Sequence, residues 1–162
     1  MPRELVVPHD IWLETWTGLR KRGAGRREAA CIWGGYRTDA QETVEAVLFF
    51  DDFGPTIAGA LSHRTPRDVT TAAFSRLRES GFVIVADVHS HPDEWVGLSP
   101  VDRAHPIEYR VGLRAVVLPH YAIGEPSIRG VGLHEYLGNG RWQQFDEPDV
   151  DAVVRFTTRR DK

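Results

Sequence analysis

The sequence predicts a mixed α/β domain of the α+β kind, with one central sheet flanked by helices. Three observations carry that reading. Apolar, β-branched runs of strand length alternate with segments of helical periodicity. The 162 residues are 41% hydrophobic and 27% charged, enough for a real core at the size of one ordinary domain. No internal repeat or low-complexity stretch interrupts the pattern.

The elements follow in order. Asp10 is placed to cap a first helix running to about Arg22, with Trp12, Leu13, Trp16 and Leu19 on one face, and Gly23-Ala24-Gly25 ends it. Runs at 28–36 and 43–50, split by a polar segment, read as an antiparallel strand pair. The stretch 51–62, with Gly54, Pro55 and Gly59, reads as a loop with room for an edge strand near Ile57. Thr65-Pro66-Arg67-Asp68 signals a helix with Thr65 as cap, Phe74 and Leu77 inside and Gly81 as stop. The run 82–88 is almost wholly apolar, as in a strand buried on both faces. Ser99-Pro100-Val101-Asp102 starts another helix, which Pro106 keeps short. A strand at 113–118 follows, then a hairpin of 131–137 and 141–145 around Gly138-Asn139-Gly140. From Asp146 the chain is mostly charged, and Val150, Val153 and Val154 allow one short amphipathic helix. The expected division is therefore a domain over residues 1–145 and a charged tail over 146–162.

Composition narrows the function. Twenty basic against 23 acidic side chains give a net charge of -3, so no overall basic field attracts nucleic acid. Eighteen of the basic residues are arginine, for which GC-rich codon usage is a sufficient reason. No apolar run has membrane-spanning length, and Met1-Pro2-Arg3-Glu4 lacks a signal-peptide core. The one cysteine, Cys31, makes no internal disulfide, which fits a cytoplasmic location.

The chemistry concentrates in Asp87-Val88-His89-Ser90-His91-Pro92 and the following Ser99-Pro100-Val101-Asp102. Two histidines two apart at a strand end point their imidazoles to one face, with Ser90 turned away. Pro92 ends the strand, and the loop 93–98, bending at Gly97, is long enough to return Asp102 to the same place. Two imidazoles and a carboxylate are ligands of the type a catalytic Zn2+ uses, with water in the fourth position. Plainer readings stand beside these. Ser99 and Asp102 can form a capping box, and Trp95 suits a substrate groove or a loop anchor equally. His105 offers a fourth ligand that would close a structural site. Cys31 reads as a core residue, and His9, His63, His120 and His134 as ordinary core or surface histidines.

These residues resemble the JAMM (JAB/MPN+) metalloprotease family, whose signature is His-x-His-Pro, a spacer and Ser-x-x-Asp, with a glutamate far upstream. The resemblance implies zinc ligation by His89, His91 and Asp102, and oxyanion stabilisation by Ser99. It also implies a catalytic base at the start of the first strand of the pair, where Glu28 opens Glu28-Ala29-Ala30-Cys31-Ile32-Trp33-Gly34-Gly35. Cys31 departs from the family pattern by replacing its first glycine. The implied architecture is the cytidine-deaminase-like MPN/JAB sheet. The bare domain looks most like the prokaryotic JAB branch, whose peptidases act on ubiquitin-like or sulfur-carrier proteins. The expected activity is thus deubiquitinase-like: hydrolysis of an (iso)peptide bond at the C-terminal glycine of such a partner, with Trp95 beside the tail. Three other functions remain at this point. They are cleavage of a sulfur-carrier adduct or small amide, a non-catalytic MPN-type scaffold, and the DNA-repair-associated branch, which the acidic charge and Ser90 disfavour.

Overall fold

A computed structural model describes residues 2–158. Its strands are β1 Glu4–Pro8, β2 Ala30–Arg37, β3 Gln41–Phe49, β4 Ile57–Ala58, β5 His63–Arg64, β6 Val83–Ser90, β7 Arg114–Leu118, β8 Gly132–Gly138, β9 Arg141–Gln144 and β10 Val154–Thr157. The α-helices are α1 His9–Gly23, α2 Arg67–Glu79, α3 Pro100–Ala104 and α4 Glu147–Val153. Eight strands form one mixed sheet in the order β10-β1-β3-β2-β6-β7-β8-β9, and β4 and β5 form a separate ribbon.

Each face of the sheet carries its own packing. On one face, Trp12, Trp16 and Leu19 of α1 lie in a buried cluster with Cys31, Trp33, Val88, Val116 and Leu118. On the other, Val69, Ala73 and Leu77 of α2 join Ala30, Ile32 and Phe50. A smaller apolar group, Leu98, Ala115 and Val117, anchors the loop after β6 beneath α3. Strand β6 is central, hydrogen-bonded to β2 on one side and β7 on the other, which is why 83–90 is so apolar. The hairpin turn has Asn139 and Gly140 at φ 52° and 73°, the left-handed pair that a two-residue hairpin requires.

Several expectations need correction. Neither expected cap forms: α1 starts from Pro8 and α2 from Pro66, and a proline at the N-cap has no side-chain oxygen to accept from the first amides. Asp10 lies inside the first turn, where its Oδ1 accepts from the Ile11 amide. The segment near Ile57 is not an edge of the main sheet but pairs with His63–Arg64. The charged segment from Asp146 is not separate from the sheet. It contributes α4, whose Val150 and Val153 are buried, and then β10, parallel to β1. Val154 accordingly belongs to a strand and not to the amphipathic helix; residues 159–162 of the expected tail lie outside the described residues.

One turn is conformationally expensive. His120, Tyr121 and Ala122 have φ of 54°, 55° and 60°, three consecutive non-glycine residues in the left-handed region. Such a backbone costs about 1–2 kcal/mol per residue and needs fixed partners to persist. Its partners are the carbonyls of Asp93 and His91, which accept from the His120 and Tyr121 amides at 3.0 and 2.7 Å.

Candidate metal centre

Strand register brings the first three groups together. Ala30 on β2 pairs with His89 on β6, so both side chains share a face. Glu28 stands two residues before Ala30 and His91 two after His89, and a period of two returns both to that face. Between them, Ser90 faces the opposite way and is fully buried; its Oγ accepts from the Ala29 amide at 3.0 Å. The Ser90 amide donates to the Ala29 carbonyl at 3.0 Å. Ser90 thereby locks the start of β2 to the end of β6, beside Glu28.

The fourth group arrives on the return loop. The His91 amide donates to Leu118, and the Val96 carbonyl receives Nε2 of His134 at 2.8 Å. Gly132 permits this contact, since a β-carbon there would sit 2.1 Å from the Val96 oxygen. The loop so pinned delivers the N-terminus of α3. Ser99 and Asp102 form the capping box in both directions: the Asp102 amide donates to Ser99 Oγ at 3.1 Å and the Ser99 amide to Asp102 Oδ2 at 2.9 Å. The capping and site geometries coexist, because the same Oδ2 lies 3.5 Å from His89 Nε2 and 3.7 Å from His91 Nε2.

The donor set suits a small divalent ion. The two Nε2 atoms are 3.2 Å apart, closing a triangle with Asp102 Oδ2. Tetrahedral ligands at the zinc–nitrogen distance are separated by about 3.3 Å, close to all three edges. Glu28, 6% exposed, also places a carboxylate oxygen within 4.8 Å of ligand atoms of both histidines. His91 Nδ1 lies 3.0 Å from the Trp95 carbonyl, which can only accept, so Nδ1 carries the proton and Nε2 is the free donor of an electron pair. The Trp95 ring stacks on His91 at 5.2 Å and 11°. At 54% exposed, Trp95 anchors the loop and still shows an open face.

Charge organises the site. Burial pushes the Glu28 carboxyl upward, with the His91 and His89 charges pulling the other way and Asp102 adding to the rise. Burial likewise opposes the His89 imidazolium, but the Asp102 hydrogen bond and the charges of Asp87, Asp102 and Glu28 outweigh it, and its pKa is raised. Asp102 is held far below the usual carboxylate range: burial works against its charge, and the close imidazoles, His89 above all, together with the Ser99 amide overcome that.

Of the remaining candidates, His105 is exposed at the end of α3 and outside the ligand group. Cys31 is fully buried on the α1 side, where burial pushes its thiol well up. His63 is depressed to about 4, by burial and then by the charge of His89. Sequence reasoning passed over Ser90, His134 and Tyr121 as site residues. Their roles depend on contacts with main-chain groups distant in sequence, which no spacing records.

His134 gives a pH test. Fully buried, its pKa is depressed to about 4, chiefly by burial against the Val96 hydrogen bond. A histidine whose folded pKa lies below its unfolded value stabilises fully above about 6.5, and that stability is lost as pH falls toward 4. Denaturant midpoints are therefore expected to drop on acidification through this window. His134→Gln, which keeps a donor for Val96, is expected to remove up to about 3 kcal/mol of that dependence.

The sequence matches no family model. Among solved structures, the chain is similar to a protein of Desulfitobacterium hafniense at TM-score 0.67 and 15% identity, covering 94% of this chain and 92% of that one. It is similar to a protein of Salinibacter ruber at TM-score 0.54 and 17% identity, over 86% and 88%. A JAB1/MPN domain protein of Archaeoglobus fulgidus aligns at TM-score 0.52 and 10% identity over 96% of this chain and 98% of that one. With its mixed eight-stranded sheet between α1 and α2, the chain has the MPN/JAB fold.

Proposed function

We propose that the chain is a JAMM-type zinc peptidase of the prokaryotic JAB kind, cleaving an amide or isopeptide bond at the C-terminal glycine of a ubiquitin-like or sulfur-carrier protein. The observation that carries this reading is the compact triangle of His89, His91 and Asp102 with the buried Glu28 beside it. Those three residues would hold the ion, and zinc bound there supplies Lewis acidity that makes water a better nucleophile near neutral pH. Glu28, its pKa raised by burial, takes the proton from the attacking water and passes it to the leaving amine. Ser99 Oγ accepts from the Asp102 amide and so keeps its own proton for the oxygen that becomes negative.

Substrate recognition follows from the shape of the rim. The open face of Trp95 and the exposed Val101 of α3 border the site on one side. An extended tail can lie along this rim as an added strand, with the body of the partner supplying most of the binding energy. A cytoplasmic setting is part of this reading: the sequence has a single cysteine, the buried Cys31, and so does not build on internal disulfides. Among the described residues no helix is long and apolar enough to cross a membrane.

The test uses a ubiquitin-like protein fused through its terminal glycine to a fluorescent reporter, against a short peptide copying only the tail. The fusion is expected to be cleaved with kcat/KM at least about 10²-fold higher, because the peptide lacks remote binding energy. Equal cleavage of both favours a small-amide hydrolase instead. Trp95→Ala is expected to lower turnover of the fusion about tenfold while zinc content stays unchanged, since the carbonyl on His91 belongs to the main chain.

A further inference from the structure

We propose that Tyr121, in the left-handed turn after β7, is a positioning residue that holds the two halves of the site in mutual register. The inference rests on the peptidase reading only for its kinetic consequence. Its main-chain amide donates to the carbonyl of His91 at 2.7 Å. Its phenol oxygen donates to the carbonyl of Ala60, 2.8 Å away in the loop between β4 and β5. The adjacent carbonyl, that of Gly59, accepts the amide of Glu28 at 2.8 Å. One residue thus grips the backbone of a ligand histidine and, one peptide removed, the backbone that seats the carboxylate. Glu28 and His91 are far apart in sequence; the Ser90–Ala29 bonds hold the strand ends between them, and Tyr121 adds a tie from outside the sheet to the two residues just beyond those ends.

The conformation argues that the side chains matter here. Glycine adopts a left-handed turn without steric cost, yet this turn has none at its three central positions. Strain kept in that way points to contacts that only side chains can make. Tyr121 contributes its phenol, and Ala122 a methyl group that is fully buried against the α1 side of the core. From α1, Arg20 closes the turn, its Nε donating to the Ala122 carbonyl at 2.8 Å and its Nη2 to Gly124 at 2.6 Å. The two prolines and single glycine that flank this stretch, Pro119, Gly124 and Pro126, confine the unusual backbone to the residues that use it.

Tyr121→Phe removes the hydroxyl that bonds to Ala60 and keeps the ring. By amide hydrogen exchange in the full chain, the Glu28 amide is expected to exchange about tenfold faster, while the Tyr121 amide, still bound to His91, keeps its wild-type rate. With the reporter fusion, kcat is expected to fall about tenfold at unchanged KM and unchanged zinc content. Arg20→Ala provides the second arm: the Tyr121 amide is expected to exchange about tenfold faster, and zinc to be lost to a competing chelator at about tenfold lower chelator concentration. Unchanged exchange at Glu28 in the first variant, or at Tyr121 in the second, overturns the proposal. So does faster exchange without any fall in kcat. A wild-type protein that cleaves no fusion removes the peptidase reading, and the exchange rates then still decide whether Tyr121 braces the site.

Discussion

Glu28→Gln is expected to keep the fold and the bound zinc and to lower kcat by about 10²–10⁴-fold, the usual worth of general acid–base catalysis. The carboxamide has nearly the shape of the carboxylate, so the packing around a residue 6% exposed survives. The hydrogen bond from the Glu28 amide to the Gly59 carbonyl belongs to the main chain and survives as well. What disappears is the capacity to accept a proton. Three other glutamates compete for the role: Glu14 is exposed on α1, Glu42, 1% exposed, is paired with Arg37 of β2 at 2.9 Å, and Glu45 lies on β3 opposite Gly34–Gly35, at the other end of β2 from Ala30 and its partner His89. Kinetics with the reporter fusion, together with metal analysis, checks this. Full activity of Glu28→Gln beside a dead Glu42→Gln or Glu45→Gln reassigns the base.

Removing a ligand is expected to empty the site. His89→Ala, His91→Ala and Asp102→Ala should each fall from about one zinc per chain to near none, measured by elemental analysis after dialysis. Asp102 should show the largest structural side effect, because its carboxylate also accepts the Ser99 amide and so starts α3. Retention of zinc by all three variants ends the metal assignment. The protein without metal should remain folded, since the ligands stand on β6 and α3, whose positions come from the sheet and from the pinned loop 91–99.

Much of the fold was legible because periodicity and burial coincide. The helix over 9–23, the strand pair 30–37 and 41–49, the central strand and the hairpin at Asn139-Gly140 all carry local signals that tertiary packing reinforces. Strand β1 was not visible: five residues between prolines, Glu4–Pro8, are too few for a pattern. Strand β10 was hidden by its charge, since Arg155 pairs with Glu4 at an edge where a strand need not be apolar. The site followed the same rule. His89 and His91 share a face by simple alternation, and the expected helix start places Asp102. The bridging contacts made by His134 and Tyr121 have no sequence signature, because each ends on a carbonyl, and every residue has one.

The place of β1 bears on how the molecule assembles. This strand is made before the other described strands, yet it is bounded by β3 and β10, and the register Leu5↔Val154 joins nearly opposite ends of the described chain. Both pairings are parallel, so neither can begin as a local hairpin, and the closure entropy must be met before any hydrogen bond rewards it. High contact order of this kind slows folding toward the millisecond-to-second range. Until β10 emerges, the apolar flank of Leu5, Val6 and Val7 stands as an open edge, so a nascent chain halted before Val154 should be far more prone to association than one that carries β10.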